Sequence, residues 1–245
     1  MGKNNLKKSE YFDEISEIYN LNFENIKSGK NFEFRKRAQI INSLIGNSGL
    51  SIIDLGCGNG SIIEKILQNH KEIKKVTLID YSKNMLRLAK KKLIRFKIKK
   101  KFIKKDIFQI HFKGKTDIVL CVGVLGHVIN SKKLIFKISQ LIKKDGTLII
   151  QYTKKKHIFS IVYRMLLFMI NKKGETYFWH NEKNLNKELL KKNFILKKKI
   201  YYKIGIPFLD LISPKLNYLL EKNLSRLSLL IGTEVIALYE YKTKE

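Results

Sequence analysis

The clearest chemical signal in this sequence is a glycine-rich segment accompanied by aspartates. Residues 54–60 read DLGCGNG, Asp80 follows 20 residues after Gly60, and Asp106 comes later still. Alternating glycines let the backbone turn tightly, and a helix beginning there points free N–H groups at a ligand. A carboxylate at Asp54 would repel a pyrophosphate but suits a cation, and an acid at the distance of Asp80 accepts hydrogen bonds from ribose hydroxyls. The pattern predicts a ligand that carries a cationic amine and a ribose.

These residues need a sheet that brings the ends of several strands together. Short runs rich in Ile and Val predict five buried strands, over residues 51–55, 75–79, 101–105, 117–122 and 147–152. Helical patterns lie between them, and Ser61, Ser82 and Ser131 precede three of these patterns as expected N-caps. Strands that alternate with helices predict the doubly wound α/β class, with right-handed crossovers. The three aspartates would then end three successive strands at one edge of the sheet.

The flanking regions extend this sheet and surround its ligand edge. They predict helices over 9–19 and 32–45, and strands over 193–204 and 233–241 separated by a mainly helical stretch. The result is a seven-stranded, mostly parallel sheet in a single domain over residues 1–245. The expected parts are an N-terminal helical lid (1–46), a cofactor-binding core (51–152), a cap insertion (153–192) and the final strands with a helical insertion on the substrate side (193–245).

Composition limits the partners that this chain would take. The formal net charge is +29, from 44 Lys and six Arg against 21 Asp and Glu, and with 35 Ile and three Ala this bias is typical of an A/T-rich genome. Because Arg supplies the planar fork that reads phosphates and base edges, specific nucleic-acid binding is not favoured. The two cysteines, Cys57 and Cys121, exclude a disulfide-rich scaffold and a Cys-based zinc site. No segment has the apolar length of a signal peptide or a membrane span, so we expect a cytoplasmic protein.

The motifs together resemble those of the class I S-adenosylmethionine-dependent methyltransferases, in the small-molecule branch that includes types 11 and 25. The matching segments are Asp54–Gly60, Asp80–Leu86, Lys105–Ile107, Cys121–Val128 and Leu141–Ile150. The resemblance covers residues 51–152 well and the remainder only as topology. It implies a Rossmann-like methyltransferase fold with S-adenosylmethionine as the cofactor.

The resemblance also implies roles for individual residues. It assigns the methionine end of the cofactor to residues from two strand ends: Asp54, Gly56, Cys57, Gly58, Gly60 and Val122. Within that set Cys57 is expected to be a small buried filler, and Val122 or Gly123 would approach the cofactor through the backbone. On the nucleoside side, Asp80 would bind the ribose, Tyr81 would pack on the nucleoside, and Asp106 and Ile107 would border the adenine. Tyr11 resembles a lid tyrosine, with simple helix packing as the alternative.

Methyl transfer from a sulfonium needs alignment and exclusion of water more than activation of the leaving group. An acceptor hydroxyl or protonated amine benefits from a general base of near-neutral pKa, and His fits that requirement. His127 lies just past the fourth strand, so we predict that it borders the acceptor and serves as this base. The alternative is a histidine that only hydrogen-bonds a neighbouring loop. His180, beside Trp179 and Phe178, is a weaker candidate, since an aromatic cluster explains these three residues equally well.

Sequence features also narrow the acceptor. Residues 123–126 read GVLG, where enzymes that methylate base amines carry an acid or amide, two prolines and an aromatic. No clustered acids follow strands four and five, so no metal site is predicted. What remains is O-, N- or C-methylation of a small or lipid-like molecule. The apolar segments 158–170, 206–212 and 214–230, with flanking lysines, predict a hydrophobic acceptor or peripheral contact with the inner membrane face. The alternative is that these segments pack on each other.

Two other functions stay open at this point. One is an RNA-directed methyltransferase that uses the basic surface of residues 83–105, where twelve of 23 residues are Lys or Arg. The other is a non-catalytic protein that binds S-adenosylmethionine without transferring its methyl group.

Overall fold

The structure is a computed structural model, and it describes residues 10–24, 29–46, 51–112, 114–162, 165, 178–206 and 209–243. Seven strands form one sheet in these residues: β1 (Ser51–Leu55), β2 (Lys75–Asp80), β3 (Lys99–Lys104), β4 (Thr116–Cys121), β5 (Ile142–Thr153), β6 (Phe194–Tyr202) and β7 (Glu234–Tyr241). Their order is β3-β2-β1-β4-β5-β7-β6, and only β7 runs antiparallel to its neighbours. The predicted doubly wound, mostly parallel α/β sheet is confirmed.

Helices cover both faces of this sheet. The described helices are α1 (Ser16–Glu24), α2 (Gly29–Leu44), α3 (Ser61–Asn69), α4 (Lys83–Leu93), α5 (Ser131–Leu141), α6 (Glu182–Lys191), α7 (Leu209–Ile212), α8 (Pro214–Asn223) and α9 (Ser228–Ile231). Residues 10–14 are also helical. One apolar core joins the sheet to α2, α3 and α4, and a second joins the opposite face to α5 and α6. Because β1, β2 and β4 are parallel, their carboxyl ends lie together at one edge of the sheet.

The predicted serine caps are right at one helix and wrong at two. Ser82 accepts a hydrogen bond from Met85 N (3.1 Å) and caps α4 as expected. At α3 the cap is Gly60, whose left-handed backbone (φ 74°) starts the helix one residue before Ser61. At α5 the cap is Asn130 rather than Ser131, because the Asn130 side chain accepts a hydrogen bond from Lys133 N. In both cases the residue before the serine occupies the cap position, so the serine is the first residue of the helix.

Most of the predicted strand boundaries move by one or two residues, and the start of β5 moves by five. Strand β5 begins at Ile142 rather than at 147, because Ile142 pairs with Thr116 before a register shift in the β4–β5 ladder. Asp145 therefore lies inside the strand, where it keeps a left-handed backbone (φ 60°). The fourth strand ends at Cys121, so Val122 lies just beyond it.

The region expected as a cap, 153–192, divides into different parts. Residues 158–162 and Met165 are helical, as the apolar pattern predicts, whereas 163, 164 and 166–177 lie outside the described residues. Helix α6 does not belong to a cap, because Leu185 and Leu189 are buried in the core beneath the sheet. Residues 178–180 lie against the loop after β4, where Phe178 N donates to Gly126 O (2.7 Å).

Candidate active site

The glycine turn after β1 is tied to the end of β2 by backbone hydrogen bonds. Gly56 N and Cys57 N both donate to Ile79 O, at 2.8 and 3.0 Å. Gly56 has φ 68°, and a Cβ there would lie 2.6 Å from a methyl group of Val124. Gly60 has φ 74°, and a Cβ would lie 2.9 Å from the Cβ of Ala89. Glycine is therefore required at these two positions for backbone conformation and for space.

Gly58, between those two positions, is different. It also has a left-handed backbone (φ 52°), yet nothing lies within 4 Å of the position that a Cβ would occupy. The same holds for Gly123 in the loop after β4 (φ 73°). These two glycines border open space at the strand ends, so their backbones are accessible to a ligand.

Asp80 connects the end of β2 to the glycine turn. Its carboxylate accepts hydrogen bonds from Gly58 N (2.8 Å) and Ser82 N (2.9 Å). Burial raises the pKa of Asp80, while these backbone donors oppose the rise. A carboxylate can accept about four hydrogen bonds, so Asp80 keeps capacity for further donors such as hydroxyls.

Asp54 is the most perturbed acid of the site. It is only 3% exposed, and burial, followed by the nearby charge of Asp80, raises its pKa to about 8. A buried carboxylate of this kind favours a positively charged ligand, because a nearby cation stabilises its ionised form.

Asp106 and Ile107 lie on the neighbouring strand end. Lys105 N donates to Asp80 O (3.1 Å), which holds the chain after β3 beside the end of β2. The Asp106 carboxylate accepts a hydrogen bond from Phe108 N (2.9 Å) and caps a short 3-10 helix, Ile107–Gln109. Ile107 is buried. The three sequence-predicted aspartates therefore do end three neighbouring strands at one edge.

The N-terminal segment lies across these strand ends. Asp13 accepts hydrogen bonds from Ser82 Oγ and Asn84 N, and Asn20 accepts one from Asn59 Nδ2 (2.9 Å) in the glycine turn. Glu17 forms an ion pair with Arg87 of α4. Sequence reasoning missed these contacts, since nothing in the pattern of residues 10–24 indicates which polar side chains face the sheet.

The same segment brings aromatic side chains to the site. The ring of Phe12 packs edge-on against Tyr81 (centroids 5.9 Å apart) and against His127 (5.4 Å). Tyr11 is 36% exposed and packs on Phe12 from outside. Phe12, one residue after the predicted lid tyrosine, therefore stands between the second and fourth strand ends.

The loop after β4 carries Val122 and His127. Val122 is buried, and His127 ends a short 3-10 helix, Leu125–His127. His180 Nε2 donates to Leu125 O (2.9 Å), so His180 has a structural contact with this loop.

Cys57 is a small buried residue, as expected, and Asp117 lies away from the site. Cys57 is buried with its Sγ 3.5 Å from Gly58 O, and burial raises the pKa of its thiol well above the ordinary value. Asp117, at the opposite edge of the sheet, accepts hydrogen bonds from Ser51 and Lys143, which hold its pKa below the ordinary value. Asp117 is thus a structural residue outside the site.

Two other features are absent from the described residues. No group of three His, Cys, Asp or Glu side chains there is arranged to hold a metal ion. No helix among those residues combines the length and apolar character needed to cross a membrane.

Known proteins resemble this chain in sequence. A family described as a methyltransferase domain matches residues 46–217. The ubiquinone/menaquinone biosynthesis C-methyltransferase of Campylobacter jejuni is 27% identical over 154 residues, 60% of this chain and 64% of that protein. The ubiquinone biosynthesis O-methyltransferase of Rickettsia prowazekii is 32% identical over 119 residues, 47% of this chain and 46% of that protein. The chain thus spans less than two thirds of the length of these relatives.

Solved structures resemble it in fold. An S-adenosylmethionine-dependent methyltransferase from Thermotoga maritima aligns with a TM-score of 0.67 and 16% identity, covering 94% of this chain and 98% of that one. Magnesium protoporphyrin IX methyltransferase from Synechocystis, with bound S-adenosylhomocysteine, aligns with a TM-score of 0.62 and 18% identity, covering 85% and 84%. At these identities the likeness shows the fold alone.

The sheet order, the glycine turn and the aspartates at the strand ends define the class I methyltransferase type. The chain belongs to the methyltransferase domain family, and the resemblance found in its motifs is confirmed.

Proposed function

We propose that this chain transfers a methyl group from S-adenosylmethionine to an O, N or C atom of a small-molecule or lipid-like acceptor. The observation that carries the proposal is the buried carboxylate of Asp54 beside a glycine turn with an open side. A ligand with a cationic end fits this arrangement, because the Asp54 carboxylate can ionise opposite a positive group and nothing fills the space beside Gly58, whose N–H is held by Asp80. The residues present therefore fit the cofactor.

Each part of the cofactor has residues suited to it. Asp54 and the turn of residues 56–60 would hold the methionine end, together with the backbone at Val122 and Gly123. Asp80 would accept hydrogen bonds from the ribose hydroxyls. When bound, the cofactor supplies a methyl group on a positively charged sulfur, which is already activated for displacement.

The nucleoside end would lie on the opposite side of the turn. Tyr81 would pack on it, and Asp106 and Ile107 would border the adenine. Phe12 and the contacts of Asp13 would close the site from above and exclude water, which favours alignment of the reacting atoms. Tyr11 would support Phe12 from outside.

For His127 we propose contact with the acceptor and a role in removing its proton. Its place after β4, beside Phe12, supports this role. The test is His127→Ala, with cofactor affinity and turnover measured separately. We expect unchanged affinity for S-adenosylhomocysteine and turnover reduced about 100-fold, the range of general base catalysis. Unchanged turnover would remove His127 from the mechanism.

We further propose that the acceptor is hydrophobic and that a cytoplasmic enzyme meets it at the inner membrane face. The named relatives from ubiquinone and menaquinone biosynthesis support a lipid-like acceptor and do not favour the RNA-directed and non-catalytic alternatives. His157 Nε2 donates to Ile231 O (2.7 Å), which joins the start of the 158–162 helix to α9. Ile158 and Leu230 are 62% and 74% exposed there, with exposed Lys155 and Lys156 alongside. Exposed apolar side chains beside lysines suit an anionic membrane surface.

Flotation with vesicles tests the membrane part. The wild-type chain should float with vesicles that contain phosphatidylglycerol at moderate salt, and the Ile158→Ser/Leu230→Ser variant should not. Ile94→Ser is the matched control, because Ile94 is 80% exposed but follows α4, away from this surface. Equal flotation of all three proteins, or of none, would refute membrane contact through this surface.

A further inference from the structure

A second polar cluster lies at the same edge of the sheet, on the side of β5, β6 and β7. Its members come from these strand ends and from α2, and they are all buried or half-buried: Glu33, Arg37, Gln151, Thr153, Tyr202, Lys203 and Glu234. We refer to these seven residues as the β5–β7 polar cluster. None of them belongs to the cofactor motifs.

Charges within the β5–β7 polar cluster are balanced. Glu33 is paired with Arg37 (2.8 Å) and with Lys203 (2.6 Å), and Arg37 also donates to the hydroxyl of Tyr202 (3.0 Å). Glu234 adds the second carboxylate, so two acids face two bases. The cluster as a whole is neutral, which allows it to remain buried.

Glu234 fixes the orientation of Gln151. Its carboxylate accepts hydrogen bonds from Gln151 Nε2 (2.8 Å) and from Thr153 Oγ1 (2.7 Å). Rotating the amide of Gln151 by 180° would place its oxygen against the carboxylate of Glu234, which is repulsive. The Oε1 atom must therefore point away from Glu234.

This Oε1 atom has no hydrogen-bond partner within the described ranges of the chain, although it is buried. Gln151 as a whole is only 5% exposed. An acceptor atom that is buried without a partner is costly, and such atoms in native proteins commonly mark a missing ligand or water.

The register of the sheet places Gln151 beside the methionine end of the cofactor site. Cys121 pairs with Ile150, so the next residues along both strands are Val122 and Gln151. Because side chains alternate along a strand, Gln151 lies on the same face of the sheet as Ile149. Ile149 pairs with Leu120 of β4, and Leu120 pairs with Asp54 of β1. Gln151 is thus on the same face as Asp54, on the side away from the nucleoside residues of β2 and β3.

We propose that Gln151 Oε1 accepts a hydrogen bond from the methyl acceptor, and that the acceptor therefore carries an O–H or N–H group at or next to the atom that receives the methyl. This inference rests on the function proposed above. Gln151 would act as a specificity residue that touches the substrate. Glu234 would be the positioning residue, whereas Thr153 only adds a second donor to Glu234. A carboxylate on the acceptor would be disfavoured at this point because it offers no donor.

The test uses the full chain saturated with S-adenosylhomocysteine, and two probes of similar size, 4-propylphenol and propylbenzene. Only the first carries a donor. Affinities are measured by ligand-observed NMR for the wild type, Gln151→Met and Thr153→Val. Both substitutions remove one donor to Glu234, but only Gln151→Met removes the free oxygen. Gln151→Asn is a milder second variant that keeps an amide and withdraws the oxygen by one methylene.

We expect the wild type to bind 4-propylphenol about tenfold more tightly than propylbenzene, the effect of one buried hydrogen bond. The preference should persist in Thr153→Val, fall below about twofold in Gln151→Met, and be reduced in Gln151→Asn. A wild type without preference, a Gln151→Met variant that keeps it, or an equal loss in Thr153→Val would overturn the inference. Lack of S-adenosylhomocysteine binding by the wild type would instead refute the proposed function itself.

Discussion

Replacing Asp54 by asparagine should make the ligand-free protein more stable at neutral pH and weaken cofactor binding at the same time. Asp54 is buried next to Asp80, and these surroundings raise its pKa to about 8 from an ordinary 3.8. An acid whose pKa is raised by folding holds a proton that the unfolded chain has released. Proton release by the unfolded chain therefore lowers the stability of the folded state as pH rises from about 4 to 8, and stability falls no further above that range.

The magnitude follows from the two pKa values. Each pH unit between them lowers the free energy of unfolding by about 1.4 kcal/mol, so the full effect approaches about 6 kcal/mol above pH 8. The amide side chain of the Asp54→Asn variant cannot ionise and lacks this dependence. The difference in unfolding free energy between Asp54→Asn and the wild type should thus grow by about 1.4 kcal/mol per pH unit from about pH 5 to pH 8. Because the prediction concerns the slope of this difference with pH, a pH-independent cost of burying the amide does not affect it.

Urea denaturation at pH 5, 6, 7 and 8 without cofactor measures this slope. In parallel, calorimetry with S-adenosylhomocysteine should show about 10- to 100-fold weaker binding to Asp54→Asn, the loss of a hydrogen bond to a charged group. Asp117→Asn is the matched control. Lys143 and Ser51 lower the pKa of Asp117, so this variant should be less stable than the wild type at neutral pH and should bind S-adenosylhomocysteine normally. Parallel pH profiles for Asp54→Asn and the wild type, or equal affinity for the ligand, would refute the reasoning.

Further predictions concern the turn and the lid. Gly60→Ala should lose about 2–4 kcal/mol of stability in urea denaturation, because its new Cβ meets Ala89 and its backbone is left-handed. Gly58→Ala should lose only about 1 kcal/mol of stability yet bind S-adenosylhomocysteine at least about tenfold more weakly, since its methyl group would enter the open side of the turn. A larger loss of stability in Gly58→Ala than in Gly60→Ala would contradict the assignment of the open side. Asp13→Ala removes the contacts of the N-terminal segment with Ser82 and Asn84. It should raise the dissociation rate of S-adenosylhomocysteine about tenfold in stopped-flow measurements. An unchanged rate would mean that this segment does not close the site.

The strands and the cofactor motifs could be predicted because local pattern decides them. Runs of Ile and Val predict buried strands, and the aspartates follow those runs directly, so the topology alone brings Asp54, Asp80 and Asp106 to one edge. Local capping was harder to predict. Gly60 and Asn130 each precede a serine that also suits the position, and the structure uses the earlier residue in both cases.

The lid and the β5–β7 polar cluster could not be predicted from the sequence. Asp13 contacts residues about 70 positions away, and Glu33 contacts Lys203. Such pairs depend on how helices lie on the sheet, and neither spacing nor composition encodes that arrangement. Gln151 shows this most clearly, since nothing in the sequence distinguishes it from other polar residues of its strand, and only the register with β7 brings it to Glu234.

Titration calorimetry of the wild-type chain with S-adenosylhomocysteine, at pH 7 and in two buffers of different ionisation enthalpy, tests the central claim most directly. At that pH, Asp54 with a pKa of about 8 should be mostly protonated in the free protein. The prediction is binding at one site with release of close to one proton, as the carboxylate ionises opposite the ammonium of the ligand. Absence of binding would contradict the proposed function, and binding without proton release would contradict the role of Asp54 in it.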